Sequence, residues 1–303
     1  MSFIVGTYAA HPANPDDLDA FIAPLASSPL IGGLEVPFTG GALAWPDAAA
    51  RGWVAVATDI PGTVQRNATD PEFGLASTDE DGRGRALAFA GELRDAVAGL
   101  SARGTPVRAV ELHSAPHRAG DPDALARSLT ELAGWDWSGA QLLIEHCDAD
   151  SDTHVPEKGY LSLDAELAVL RRLADAGAPV GCGLNWGRSA IEGRSADTAL
   201  EHVRTAAASG LLKCLMFSGA SGEDTEFGPA WLDMHLPPAG TTGAPESSLL
   251  TRERIADARA AAGSAVGLVG FKMGLRPAEL PAAERAARLL EIADLIFHHT
   301  PAW

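Results

Sequence analysis

The stretch QLLIEHCDADSDTHVPEKGYLSLDAELAVLRRLADAGAPVGCGLN, residues 141–185, decides how the rest of the chain is read. It opens on an apolar run, residues 141–146, that ends in a glutamate and a histidine. It closes on a second apolar run, residues 180–185, that ends in an asparagine. Between them, residues 162–176 place Leu163, Leu167, Leu170 and Leu173 on one helical face, and Gly177 is suited to stop the helix in the left-handed conformation. Neither apolar run alternates strictly with polar residues, as expected of parallel strands covered on both faces. The unit reads as strand, helix, parallel strand.

Working outward, the same unit recurs along the chain. Strand candidates precede it at residues 3–9, 33–37, 54–59 and 107–113, and follow it at residues 212–217 and 265–272, which makes eight. Helices begin at Asn14-Pro15-Asp16-Asp17 and at Asp121-Pro122-Asp123, each a capping residue followed by proline and acids in the first turn. Residues 251–262 and 281–298 carry further helical patterns. Eight strands with intervening helices predict one closed (β/α)8 barrel over residues 1–303, with its active face where the strands end. Residues 47–52 are too short for a full helix, so one barrel helix is expected to be missing or irregular there. Two long connections, residues 60–81 and 218–250, follow strands three and seven over that face. The second contains Phe227, Trp231, Met234 and Leu236, which predicts a folded lid over residues 224–238; residues 237–248, rich in Pro, Gly, Ser and Thr, read as a mobile connector.

Composition narrows the function. The net charge of −17 argues against nucleic acid and against an anionic membrane surface, although a small anionic substrate reads only local charge. No GxGxxG follows the first strand and no GxxxxGK[ST] occurs, which removes the usual dinucleotide and P-loop readings. Cys147, Cys182 and Cys214 are too few for a disulfide framework and read as reduced core residues. No apolar run is long enough to span a bilayer and no secretory leader is evident, so the chain is read as cytoplasmic. The oligomeric state stays open, a homo-oligomer included.

Polar residues at strand ends are the candidates for chemistry, because the inside of a barrel is otherwise apolar. These are Glu35, Asp59 with Arg66 nearby, Glu111 and His113, Glu145 and His146, the run Asn185-Trp186-Gly187-Arg188, and Lys272. Glu111 and His113 are two apart and share one side of the sheet, whereas His146 points away from Glu145 and reads as a brace for a helix. Asp59 and Arg66 could instead pair with each other at the surface. Asp233 and His235 lie two apart in the expected lid, and Trp186 reads either as core or as a surface for a sugar.

With Gly33-Leu34-Glu35, Glu111-Leu112-His113 and Glu145, the chain resembles the xylose-isomerase-like TIM barrels, a superfamily of sugar isomerases, sugar epimerases, hydroxypyruvate isomerase and endonuclease IV. The opening residues 3–9 and the Glu157-Lys158-Gly159-Tyr160-Leu161 segment resemble one uncharacterised branch of it. The resemblance implies a carbohydrate-like substrate and a divalent metal held at the ends of strands five to eight. Here those places hold Glu145, Asn185, Ser218 and Lys272, whose charges sum to about zero where the family's set carries about −3 and needs a cation. Lys272 is therefore expected to fill part of the metal's space, with zinc held through His113, His146 or His235 as the alternative.

The expected chemistry is isomerisation or epimerisation of a sugar or sugar acid, phosphorylated or not, by proton transfer next to a carbonyl. Glu145 would act as base, Lys272 as electrostatic partner, and His113 as a second acid or base. Glu35, Glu111, Asn185, Trp186, Arg188 and His235 would contact substrate, with Arg188 or Arg66 holding an anionic group on it. Three other readings stay open. Lys272 could form a Schiff base in an aldolase or lyase, the barrel could hydrolyse phosphoesters, or it could bind a sugar-like ligand without turnover.

Overall fold

The computed structural model describes residues 3–298. Eight parallel strands close into a barrel in sequence order. They are β1 Phe3–Val5, β2 Ile31–Pro37, β3 Val54–Thr58, β4 Val107–Leu112, β5 Gln141–His146, β6 Val180–Asn185, β7 Leu212–Phe217 and β8 Leu268–Phe271. Around them run α1 Leu18–Ala26, α2 Ile60–Asn67, α3 Glu80–Ala102, α4 Pro122–Ala133, α5 Leu163–Asp175, α6 Trp186–Glu192, α7 Ala196–Ala208, α8 Arg252–Ala262 and α9 Ala282–His298. No helix among the described residues is long and apolar enough to cross a membrane.

The helix starts follow the capping residues that the sequence carries. Ser162 accepts a hydrogen bond from the Ala165 amide at the head of α5, and Asp121 accepts one from Ala124 at the head of α4, with Pro122 in the first turn. Gly177, after α5, takes φ = +90°, a backbone conformation that glycine adopts without strain. Residues 38–53 hold no helix, so the connection from β2 to β3 is irregular, as expected.

Four expectations are corrected. The first strand ends at Val5, and Thr7–Ala10 form a 3-10 turn instead. The eighth strand is the four residues Leu268–Phe271, with Lys272 just beyond it. The connection after β3 is not bare loop, because α2 fills its start: Pro61 occupies the first turn, where a proline's missing N–H costs nothing. The tract 237–248 is pinned rather than free, since Ser248 Oγ donates to the Pro237 carbonyl at 2.8 Å and Thr241 Oγ1 to the Pro238 carbonyl at 2.7 Å. The lid itself is folded, with an antiparallel bridge from Gly219 to Leu236 and with Phe227 and Leu236 buried.

Alternation along each strand sorts the barrel interior into layers. Ile4, Val56, Ala109, Leu143, Cys214 and Met216 form a small buried cluster of their own, with Val54 and Leu268 packed against it. Two residues further along their strands stand Glu111, after Ala109, and Glu145, after Leu143. A charged layer therefore rests on an apolar floor. The outward-facing residues, such as Leu142, Ile144 and Leu184, join the much larger cluster under the helices. All three cysteines are free and buried, in keeping with their reading as core residues.

Candidate active site

The charged layer is a dense buried network at the strand ends. Lys272 Nζ lies 2.9 Å from Glu35 Oε1 and 3.5 Å from Glu145 Oε1, and it donates to the Tyr8 hydroxyl at 3.2 Å. Gly6 makes this approach feasible: a Cβ there would stand 2.5 Å from both Glu35 Oε2 and Lys272 Cβ. Glu145 Oε2 lies 2.9 Å from His113 Nε2 and 2.7 Å from Arg188. The other face of His113 meets Asp59, with Nδ1 2.5 Å from Oδ1. Lys272, Glu145, Glu35, Glu111, His113 and Arg188 are all buried.

A lid residue completes the network. Asp233 Oδ2 lies 2.9 Å from Arg188 Nε and 3.1 Å from Lys158 Nζ, and its Oδ1 lies 3.0 Å from His235 Nδ1. Trp231 and His235, on either side of it, hold φ values of +61° and +53°, conformations that cost a non-glycine residue free energy. These ion pairs hold the lid where its backbone is strained, beside the hydrogen bonds that tie it to Gly219 and Gly274.

The environments push the titrating groups apart. Burial opposes ionisation of Glu145, but the charges of Arg188 and Lys272 outweigh it and hold the carboxyl well below its usual range. Burial and the nearby Glu145 and Glu35 push Glu111 the other way, well above the usual carboxylate range. Protonated, Glu111 has a donor to offer Glu35, whose Oε2 otherwise lacks a partner, as do both Glu111 oxygens. Burial disfavours the charged forms of His113 and Lys272. Cys147 and Asp59 nonetheless raise His113 well above the ordinary imidazole value, and Glu145 and Glu35 raise Lys272 above that of a free lysine. The buried acids Glu35, Glu145 and Asp59, with Asp233 of the lid, thus face Lys272, Arg188, Lys158 and His113. A neutral Glu111 predicts that Glu111→Gln changes stability by less than about 1 kcal/mol, because the amide keeps shape and charge. Chemical denaturation checks this; a loss of several kcal/mol would show that Glu111 is ionised.

The arrangement does not fit the divalent metal that the resemblance implies. Both oxygens of Glu145 face cations already, and Lys272 stands where a fourth ligand would be. Asn185 Oδ1 is committed to the Gly187 and Arg188 amides and to the Ser218 hydroxyl, which caps α6 rather than facing the barrel centre. Glu35, Glu111 and Glu145 do bring carboxylate oxygens within 4.8 Å of one another, but the Lys272 ammonium sits among them.

The sequence candidates divide accordingly. Glu35, Glu111, His113, Glu145, Arg188 and Lys272 converge, and His235 joins through Asp233. Asn185 Oδ1 caps α6 and the Trp186 ring is packed in the core, while Asn185 Nδ2 and Trp186 Nε1 are buried donors without a partner among the described residues. Asp59 does not pair with Arg66, whose guanidinium lies 3.7 Å over the Phe89 ring. His146 points outward, between Glu166 and Glu192, bracing α5 and α6. Asp233, Lys158 and Tyr8 were not among the expected site residues. Only Asp233, in an acid–His pair within an apolar lid, had a local signal.

Two cavities reach toward the network. One of about 140 Å³ is lined by Tyr8, His11, Glu35 and Trp45. The other, about 370 Å³, is lined by Asn67, His117, Lys158 and Tyr160. A surface groove of about 940 Å³ runs between α4 and α5 and touches none of the charged layer.

Comparison with known proteins places this architecture. The family described as Domain of unknown function (DUF4862) matches residues 4–288. The uncharacterized protein STM3670 of Salmonella typhimurium is 38% identical over 251 residues, which is 78% of each chain. Among solved structures, a Rhodospirillum rubrum protein named after xylose isomerase aligns at a TM-score of 0.64 with 13% identity, over 99% of this chain and 100% of its own. A Parabacteroides distasonis sugar phosphate isomerase/epimerase aligns at 0.53 with 11% identity, over 99% of this chain and 96% of its own. D-psicose 3-epimerase aligns at 0.52 with 16% identity, over 99% and 96%. At these identities the likeness is one of fold, that of the xylose-isomerase-like TIM barrels.

Proposed function

The chain belongs to the DUF4862 family, and we propose that it is a sugar or sugar-acid isomerase or epimerase that moves a proton next to a carbonyl without a metal in its barrel. One observation carries this reading: Glu145 and Glu111, two clustered carboxyl groups whose surroundings push their pKa values in opposite directions, lie beside the buried ammonium of Lys272. Carboxyls whose environments separate their pKa values are suited to act as base and acid. Several fold neighbours are named as a xylose isomerase, a sugar phosphate isomerase/epimerase or a D-psicose 3-epimerase, which supports the same class of chemistry.

In this reading the substrate enters when the lid opens, and its oxygens take over Arg188 and Lys272. Glu145 loses part of its cationic shell and becomes basic enough to take the proton from the carbon next to the carbonyl. Lys272 and Arg188 stabilise the enediolate oxygens that develop. Glu111 returns a proton, and His113, held between Asp59 and Glu145, steadies the base. Once Asp233 withdraws, Arg188 and Lys158 are left to bind a substrate carboxylate. The Schiff-base reading fares worse, because Lys272 is held as an ammonium and a nucleophilic lysine must be a free amine.

The test is incubation in D2O, with chelator, of candidate ketoses, aldoses and sugar acids. Deuterium is expected at the carbon next to the carbonyl, and is expected to be lost in Glu145→Gln. Substrate-dependent thermal shift with no exchange would sink this reading in favour of a binding barrel. Borohydride trapping on Lys272 would sink it in favour of a lyase.

A pH profile follows from the same shifts. Glu145 is ionised from below the ordinary carboxylate range upward. Glu111 and His113 keep their protons to well above their ordinary values. The acid limb therefore falls below, and the alkaline limb above, the window from about pH 5 to 7, across which kcat/KM is expected to be flat. A limb centred near pH 6.5 would show that His113 titrates as a free imidazole.

A further inference from the structure

We propose that His146, Glu192 and His202 form a zinc-type divalent cation site in the helix layer, outside the barrel and separate from the cluster at the strand ends. Alternation along β5 turns Glu145 inward and sends its neighbour His146 out against α5 and α6. There one donor atom from each of the three residues lies within 4.8 Å of the other two.

The spacing suits a tetrahedral ion. His146 Nε2 lies 2.8 Å from Glu192 Oε2, and His202 Nε2 lies 3.7 Å from Glu192 Oε1. Ligands at about 2.0–2.1 Å from a tetrahedral zinc stand roughly 3.3 Å apart, between those two separations. The His146 and His202 rings already face each other, with centroids 5.2 Å apart. His202 is also uncommitted: its Nδ1 is buried without a hydrogen-bond partner, and its Nε2 reaches nothing closer than Glu192. Turning that ring onto an ion breaks no hydrogen bond.

The support behind the donors has the form metal sites use. His146 Nδ1 lies 2.7 Å from Glu166 Oε2, and Glu166 Oε1 accepts from Ser114 Oγ at 2.5 Å, so the ring's far nitrogen is held by an anchored carboxylate. Glu192 is steadied by the Ala149 amide, which donates to its Oε2 at 2.9 Å. An ion here takes the place of the hydrogen bond between His146 Nε2 and Glu192 Oε2, and the two carboxyl groups that face His146, Glu166 and Glu192, remain beside it. The Glu192 and His202 side chains are 18% and 14% exposed, which leaves a route for entry and a corner for water as the fourth ligand. Two imidazoles and a carboxylate suit zinc better than calcium or magnesium, which prefer oxygen.

The experiment is titration of the chelator-treated, full-length protein with Zn2+ by calorimetry and with Co2+ by visible absorption. One ion per chain is expected, with a four-coordinate Co2+ spectrum. His202→Ala is expected to abolish binding, Glu166→Gln to weaken it about 10-fold, and Glu145→Gln to leave it unchanged. Should His202→Ala fail to fold, Glu192→Gln carries the same test. The proposal is overturned by no stoichiometric binding to the folded protein, by binding that these variants leave intact, or by binding lost in Glu145→Gln, which would place the ion inside the barrel. None of these readouts depends on turnover, so the site and the proposed isomerase activity stand or fall separately.

Discussion

Lys272→Met is expected to cost about 3–5 kcal/mol of stability and, in whatever protein still folds, to remove at least about 1000-fold of the activity. Methionine fills the same space, so packing is nearly preserved. The loss comes from Glu35 and Glu145, which stay buried with their nearest ammonium gone. Removing one partner from a buried pair leaves an uncompensated charge, which costs far more than the pair was contributing. The carboxyls can respond by taking up a proton, so the penalty should shrink as the pH is lowered toward the ordinary carboxylate range. Denaturant unfolding of Lys272→Met at pH 7 and pH 5 measures both effects. A variant as stable as wild type at pH 7 would mean that the ammonium does not neutralise those carboxylates.

Arg188→Leu is expected to have the second large effect, because Arg188 ties two parts of the molecule together. One end of its guanidinium faces Glu145 in the barrel and the other faces Asp233 in the lid. Without it, Glu145 and Asp233 both lose a cation, and about 3–5 kcal/mol should again be lost. The lid should respond differently from the barrel, since Trp231 and His235 are strained and Asp233 would keep only Lys158 and His235 as cationic or imidazole partners. Limited proteolysis should therefore cut Arg188→Leu within residues 224–238 well before it cuts wild type. If the two chains are digested at the same rate in that segment, Asp233 is not what holds the lid.

Much of this arrangement could be read before any fold was seen. The apolar runs ending in Glu145 and Asn185 mark buried parallel strands because nothing polar interrupts them, and the run ending in Phe217 is broken only by Lys213 near its start. The two-residue spacing of Glu111 and His113 predicts that they share a side, and the opposite facing of His146 follows from the same rule. What stayed hidden was hidden for physical reasons. Ile60-Pro61-Gly62 looks like a breaker, yet proline at a helix start is favourable, so α2 went unseen. Trp186 at a strand end looks like a sugar platform, but α6 begins there at once and turns it into the core. Asp59 found His113 across β4, not Arg66 along its own helix, because pairing between neighbouring strands is set by barrel register. Lys158 and Asp233 meet from loops 75 residues apart, and no local pattern encodes a contact of that range.

The apolar floor of Ile4, Val56, Ala109, Leu143, Cys214 and Met216 has an electrical consequence. It closes the charged layer from below as the lid covers it from above, and Lys272 and Glu145 are buried away from dissolved ions. Counterions weaken exposed pairs over a Debye length of about 8 Å at physiological ionic strength, but they act only where they can reach. The network therefore works as an insulated circuit. Its internal attractions are expected to keep most of their strength as the surrounding salt rises.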